Sequence, residues 1–262
     1  MVQAANVVQL KPRTLQAFDD YIRDAEAAMQ PSLKGGSAFL WSDTDPQRTQ
    51  QVRQGKVVAQ LWAGDGPVKV PNGLIHDWSG AIFVPGATVE QTLALVQNYD
   101  NHKNIYQPEV IDSRLISHNG DDFKIFLRLL KTKIITVVLD TDHDVYYSEA
   151  GPGRWFCRSY TTRIAEVEDV GTVKEHALEP DTGYGFLWRL YSYWKFDEKR
   201  EAAGDRRASP SGGVTIECRA ISLTRDIPYG LGWIIEPIIR NLPQESLVHT
   251  LECTRKALVS PA

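Results

Sequence analysis

No apolar run in the 262 residues approaches the roughly 20 needed to span a bilayer, so no transmembrane helix is expected and membrane contact is limited to a transient encounter. Cysteine is scarce. Cys157, Cys218 and Cys253 are odd in number, fall at no metal-ligand spacing, and read as small buried hydrophobes. Positive charge is not in excess: 29 Lys and Arg face 33 Asp and Glu, for a net charge of -4. A nucleic-acid surface would need a basic field to neutralise phosphates, so that class of partner is not expected. The chain also lacks a Gly-x-Ser-x-Gly elbow, a His-Glu-x-x-His helix, a phosphate loop and a dinucleotide fingerprint. No catalytic residue, metal ligand or cofactor is therefore assigned. Residues 1–10 have neither the charged start nor the apolar core of a secretory signal, so the protein reads as soluble, either cytoplasmic or exported after removal of a signal.

What is present is enough for a full core, with 42% hydrophobic residues. Leu15, Phe18, Ile22, Ala25 and Met29 alternate three- and four-residue spacings, which is one apolar face of an amphipathic helix over residues 11–30. A short helix over 45–54 and a strand over 57–63 follow. Residues 1–73 are too few to hold a core alone and are expected to pack as an extension on a main domain, residues 74–262.

The main domain opens with a strand over 74–84, stopped by Pro85-Gly86. Thr88 to Gln91 has the form of a capping box, in which hydroxyl and amide side chains satisfy the free amides of a helix start. That helix runs to about residue 99, and a helical turn covers 101–106 before Pro108. Asn119-Gly120 signals a hairpin. Its register sends Asp112 and Arg114 toward the buried side, so either a bulge intervenes or this strand is an edge. Residues 123–143 form a second hairpin turning about 131–133, with Leu129 opposite Ile135 and Leu127 opposite Val137. The odd positions Phe123, Ile125, Leu127, Leu129, Ile135, Val137 and Leu139 are apolar, while the even ones include Lys124, Arg128, Asp140 and Asp142. One face is buried and one wet, as in an antiparallel sheet. A strand over 154–167 follows, then two long strands over 186–196 and 213–226, joined by a charged segment, 197–212, read as a solvated mobile loop rather than a lid. The chain ends in a helical stretch over 231–259. Pro237 and Pro243 are expected to bend or break it, with a restart at Pro243.

This order, together with the passage Ile221-Ser222-Leu223-Thr224-Arg225-Asp226-Ile227-Pro228 leading into Gly230-Leu231-Gly232-Trp233, resembles the START-like (SRPBCC) superfamily of lipid-transfer domains and polyketide cyclases. The segment Gly185-Phe186-Leu187-Trp188-Arg189-Leu190 is similar to one found in uncharacterised bacterial members. The resemblance covers residues 74–262. It implies an α+β helix-grip fold, a curved seven-stranded antiparallel sheet wrapped around a long C-terminal helix, here with an N-terminal helical extension. It also implies a cavity between sheet and helix, and leaves the chemistry open.

Pairing Phe196 with Val214 locates a wall for that cavity. Trp188 then faces Ser222, Leu190 faces Ala220 and Ser192 faces Cys218. Small inward residues leave volume that a tight core would fill. The predicted lining is Ile125, Leu127, Val137, Leu139, Ser159, Thr161, Arg163, Trp188, Leu190, Ser192, Cys218, Ala220, Ser222, Thr224, Trp233, Ile234 and Ile238. Arg163, Trp188, Ser222 and Thr224 are expected in a row near Trp233, as the polar end of an apolar pocket, with Arg163 anchoring a ligand carboxylate, phosphate or hydroxyl. The alternative for Arg163 is a pair with Asp226 or a stack on Trp188. The expected function is binding or transport of a hydrophobic small molecule (a lipid, sterol-like compound or polyketide) without catalysis. The alternative is a cyclase or aromatase-like enzyme in which His143, Arg163 or Asp226 moves protons. A third reading is an interaction domain whose N-terminal helix fills the groove or recruits a partner.

Overall fold

The computed structural model describes residues 7–132, 136–199, 212–226 and 232–259, the side chains of 232–240 excepted. Strand β1 (Val8–Gln9) precedes helix α1 (Pro12–Leu33), a 3-10 turn (Ser42–Thr44) and helix α2 (Pro46–Arg53). Strands β2 (Val58–Leu61), β3 (Val68–Val70) and β4 (Gly73–Pro85) lead to helix α3 (Val89–Val96), a second 3-10 turn (Tyr99–Asn101) and helix α4 (His102–Ile105). Then come β5 (Val110–Asn119), β6 (Asp122–Thr132), β7 (Thr136–Gly151), β8 (Arg154–Glu168), the short β9 (His176–Ala177) and β10 (Thr182–Gly183), the long β11 (Arg189–Lys199) and β12 (Gly213–Arg225), and helix α5 (Gly232–Val259).

The main sheet runs β2-β4-β12-β11-β8-β7-β6-β5, and all its pairs are antiparallel. Seven of these strands, β4 to β8 with β11 and β12, are those expected of the helix grip. The count itself needs correction: β2 and β3 from the N-terminal region pair with β4, and β9 pairs with β8, giving ten strands. The α+β class and the C-terminal helix on the sheet are as expected.

Local chemistry sets the helix starts. Asp45 caps α2 by accepting from the amides of Gln47 and Arg48, and Thr88 and Gln91 form the reciprocal box at α3. Helix α1 runs through Pro31 to Leu33, three residues past its expected end. Helix α5 is continuous through Pro237 and Pro243, so the expected restart at Pro243 does not occur. A proline inside a helix costs about 3 kcal/mol, which tertiary packing can offset. Here Leu247 and Leu251 are buried against β4, so closely that a Cβ on Gly80 would lie 2.9 Å from Leu251 Cδ1.

Pairing registers depart from expectation by even numbers. Phe196 pairs with Ile216, a slip of two, because β11 continues to Lys199 opposite Gly213. Leu129 pairs with Leu139 instead of Ile135, a slip of four. Side chains alternate with period two, so an even slip keeps each on its expected face. β5 is both bulged and the edge strand, which resolves the untidy register at Asp112 and Arg114. The segment expected to be a loop from residue 197 keeps 197–199 in β11, and residues 200–211 lie outside those described.

Each face of the sheet has its own helix. On the concave face Ile82, Val84, Ile125, Val145, Tyr147, Cys157, Phe196, Val214, Ile216 and Cys218 pack with Leu247 and Leu251 of α5. On the convex face α1 presents Phe18, Ile22, Ala25 and Met29 to Ile75, Tyr193, Ile221 and Leu223. Burying a large apolar side chain contributes about 1.5–3 kcal/mol, so α1 is bound along its length. It lies away from the groove under α5, and the reading in which it fills that groove is corrected.

The odd positions of β12, which carry Thr215, Glu217 and Arg219, are buried under this extension. Asp77 receives Arg219 Nε and Nη2 at 2.9 and 2.6 Å and the Tyr21 hydroxyl at 2.7 Å. Glu217 accepts the backbone amides of Trp41 and Ser42 at 2.7 and 2.6 Å, and Lys195 donates to Ser32 Oγ and the Phe39 carbonyl, both at 2.7 Å. Glu26 of α1 accepts the hydroxyls of Tyr160 and Tyr193.

Candidate functional site

The concave face of β11 and β12 carries one charge, Glu198 at the end of β11, which accepts the amide of Val89 at 2.9 Å. Alternation turns Leu190, Ser192, Trp194 and Phe196 inward from β11, and Val214, Ile216, Cys218, Ala220, Ser222 and Thr224 from β12. The two ends of this wall differ. Phe196, Val214, Ile216 and Cys218 are fully buried, whereas Leu190, Ser192, Trp194, Ala220 and Thr224, with Leu127 and Ser159 on neighbouring strands, are only half-buried although they face inward. The open end is the one at which β12 finishes, at Arg225.

Small hydroxyl groups line this open end. His143 Nε2 lies 2.9 Å from Thr141 Oγ1 and its Nδ1 lies 3.2 Å from Ser159 Oγ. His76 Nε2 lies 3.1 Å from Thr224 Oγ1, and Trp194 Nε1 donates to Ser192 Oγ at 3.1 Å. Thr161 Oγ1 accepts the amide of Leu190 at 3.0 Å. Burial pushes the imidazoles of His76 and His143 down to about 4, so both are neutral near pH 7. The face thus offers neutral hydrogen-bonding groups set in an apolar wall, which suits an uncharged or weakly polar molecule.

Most of the predicted lining is brought together. Ile125, Leu127, Val137 and Leu139 come from β6 and β7, and Ser159 and Thr161 from β8. Leu190 and Ser192 come from β11, and Cys218, Ala220, Ser222 and Thr224 from β12. Two residues are not where the sequence placed them. A bulge leaves Thr162 without a place in the pairing register with β7, because Thr161 pairs with His143 and Arg163 with Asp142. The extra residue reverses the alternation, so Ile164 turns inward to Leu129 and Leu139 while Arg163 turns outward to an ion pair with Asp142 at 3.5 Å. Trp188 precedes β11 and packs on the convex side with Ile75, Ile221 and Leu223, stacked away from the wall. The expected row of Arg163, Trp188, Ser222 and Thr224 therefore reduces to Ser222 and Thr224. Trp233, Ile234 and Ile238 belong to α5, but their side chains lie outside the described residues.

Past the bulge, Glu166 accepts the amides of Tyr184, Gly185 and Phe186 at 2.7, 2.9 and 3.1 Å, tying the approach to β11 onto β8. The alternating Asp140, Asp142 and Asp144 each meet a cation, Arg128, Arg163 and Lys124. Trp194 was missed by sequence reading although it shares the even face of Leu190 and Ser192, which was the available signal. Among the described residues no helix is long and apolar enough to cross a membrane, and no group of three or more His, Cys, Asp or Glu is placed to hold a metal.

Compared by sequence, the chain matches no protein family and no curated protein. By fold it is similar to solved structures at low identity. A STAR-related lipid transfer protein from Xanthomonas axonopodis is 14% identical over 75% of this chain and 98% of its own, with a TM-score of 0.47. Human STARD10 is 9% identical over 81% and 80%, at 0.43. An aromatase/cyclase from a Streptomyces species is 8% identical over 70% and 93%, at 0.42.

Proposed function

We propose that this protein binds or carries a hydrophobic small molecule between the concave face of its sheet and α5, without transforming it. The observation that carries this reading is the half-buried end of the wall. Leu190, Ser192, Trp194 and Ala220 face inward, yet remain accessible where the same strands are sealed two to six residues away. Apolar surface turned inward and left accessible is costly unless something occupies it. The hydroxyls of Ser159, Ser192, Ser222 and Thr224 give such an occupant a few polar contacts without a charge. A lipid, a sterol-like molecule or a polyketide fits this chemistry.

Native mass spectrometry of the protein as purified, followed by titration with fatty acids, sterols and aromatic polyketides, tests the reading. A co-purifying hydrophobic adduct, or saturable binding weakened at least about tenfold by Ala220→Trp, is expected. Absence of both an adduct and saturable binding, or binding unchanged by Ala220→Trp and Ser192→Trp, would overturn it.

One observation favours a second reading, a cyclase-like enzyme in the same cavity. His143 is held neutral between two hydroxyls on the inward face, as a general base must be. Arg163 faces away and cannot assist it. Turnover of a reactive polyketide chain that His143→Gln abolishes while binding persists would favour this reading.

A further inference from the structure

A cavity of about 170 Å³ lies on the side of the sheet opposite α5, between the C-terminal part of α1, residues 37–44 and the outer positions of β4, β11 and β12. Its walls include Met29, Trp41, Trp62 and Tyr193, and its floor carries Ser79, Lys195, Glu217 and Arg219. It opens to solvent beside Ser37 and Ala38, which are exposed.

The polar floor is unevenly satisfied. Both carboxylates are occupied: Asp77 by Arg219 and Tyr21, Glu217 by two backbone amides. The donors are not. Arg219 uses Nε and Nη2 on Asp77 and stacks its guanidinium on Trp62 at 3.9 Å, while its Nη1 is buried with no partner. Ser79 Oγ is buried with no partner as well. Lys195 donates two of its three ammonium hydrogens. Arg219 and Ser79 are only 6% and 3% exposed, and a buried donor left unpaired costs about 1–3 kcal/mol. Three residues with a donor left over, Arg219, Ser79 and Lys195, thus border a mostly apolar chamber whose carboxylates are already used.

We propose that this cavity is a binding site for a small carboxylate with a compact apolar body. A carboxylate supplies acceptors only, up to four lone pairs, which complements Arg219 Nη1, Ser79 Oγ and the remaining Lys195 hydrogen. The size follows from the volume, since a cavity of roughly 150 Å³ holds one benzene ring. The indoles of Trp41 and Trp62 give the body its apolar walls. The site is separated from the concave cavity by the sheet itself, so the two are occupied independently.

Benzoate and its neutral counterpart benzamide are the probes, titrated into the full chain while the indole N–H signals of Trp41 and Trp62 are followed by NMR. Benzoate is expected to shift both signals saturably and to bind at least about tenfold more tightly than benzamide. Ser79→Ala should weaken benzoate about fivefold, one hydrogen bond's worth, and Ser79→Leu should abolish it by filling the chamber. Arg219→Lys should weaken it further; because that change also touches Asp77, the Ser79 variants carry the test if it does not fold. Equal binding of the two probes, no saturation at about 10 mM, or unchanged benzoate affinity in folded Ser79→Leu would each overturn the proposal. A neutral pyrene-labelled fatty-acid ester distinguishes this site from the concave one. Ser79→Leu should retain ester binding, and competition of the ester by benzoate would place benzoate under α5 and overturn the assignment.

Discussion

The two faces of the sheet solve the problem of burial differently. The convex face buries charge, and most of it is paired: Asp77 with Arg219, Glu217 with two amides, Glu26 with two tyrosine hydroxyls. The concave face of β11 and β12 carries no charge from Leu190 to Phe196 or from Val214 to Thr224 and is left partly open at one end. Side chains fixed in charged networks leave one geometry, whereas small hydroxyls and aliphatics leave room. The difference teaches that the N-terminal region is part of the architecture, and that the less tightly filled end of the sheet is the one beneath α5.

The largest test of that contrast is deletion of residues 1–70. It uncovers Ile75, Ile221 and Leu223 and strips Glu217 and Arg219 of their cover, so unfolding or aggregation is expected by circular dichroism and size-exclusion chromatography. A soluble, cooperative remainder would break the comparison. Next, Asp77→Ala leaves Arg219 buried without its counter-charge and should cost about 3–5 kcal/mol in urea unfolding. A double change to Leu at 77 and Met at 219 should recover most of that loss, because it removes both charges. On the concave side Leu251→Ala, where α5 meets Gly80, should cost about 2–5 kcal/mol.

Acid separates the faces by sign. His76, His102 and His143, all pushed by burial from 6.5 to about 4, take up protons more readily when unfolded. Their contribution to stability is complete above pH 6.5 and is lost as pH falls from there toward 4. Glu217, held above the ordinary carboxylate range by burial, works in the opposite direction. The urea midpoint should therefore drop between pH 6.5 and 4, and His143→Gln should flatten that drop. The smallest effect expected is from Ser192→Ala, which removes one hydroxyl from the open wall. It should change stability by no more than about 1 kcal/mol, while altering the preference between hydroxylated and plain hydrophobic ligands.

How much of this was legible in the sequence follows from what each signal measures. Alternation gave the faces of β6, β7, β11 and β12 correctly even where pairing slipped, because Leu129 and Phe196 moved by even numbers. The exact partners depended on where each hairpin turns, which composition does not specify. Arg163 failed for a different reason: a single unpaired residue reverses every position after it, and nothing in the run Tyr160 to Ile164 announces Thr162 as the extra one. The burial of charge at Asp77, Glu217 and Arg219 was not anticipated, although an amphipathic helix at residues 11–30 needed a surface to cover, and Ile221 and Leu223 continue the same side of β12.

The bulge at Thr162 also acts as a phase switch along β8. One extra residue divides the strand into two segments of opposite parity: the first sends Ser159 and Thr161 under α5, the second sends Ile164 inward and positions Glu166 to clasp the amides of 184–186. Deleting Thr162 would rephase only one of the two segments. Either Arg163 is driven beneath α5, or β8 slips and Glu166 releases its loop. Chain length at this position, more than the identity of any side chain, therefore decides whether charge lies beneath α5.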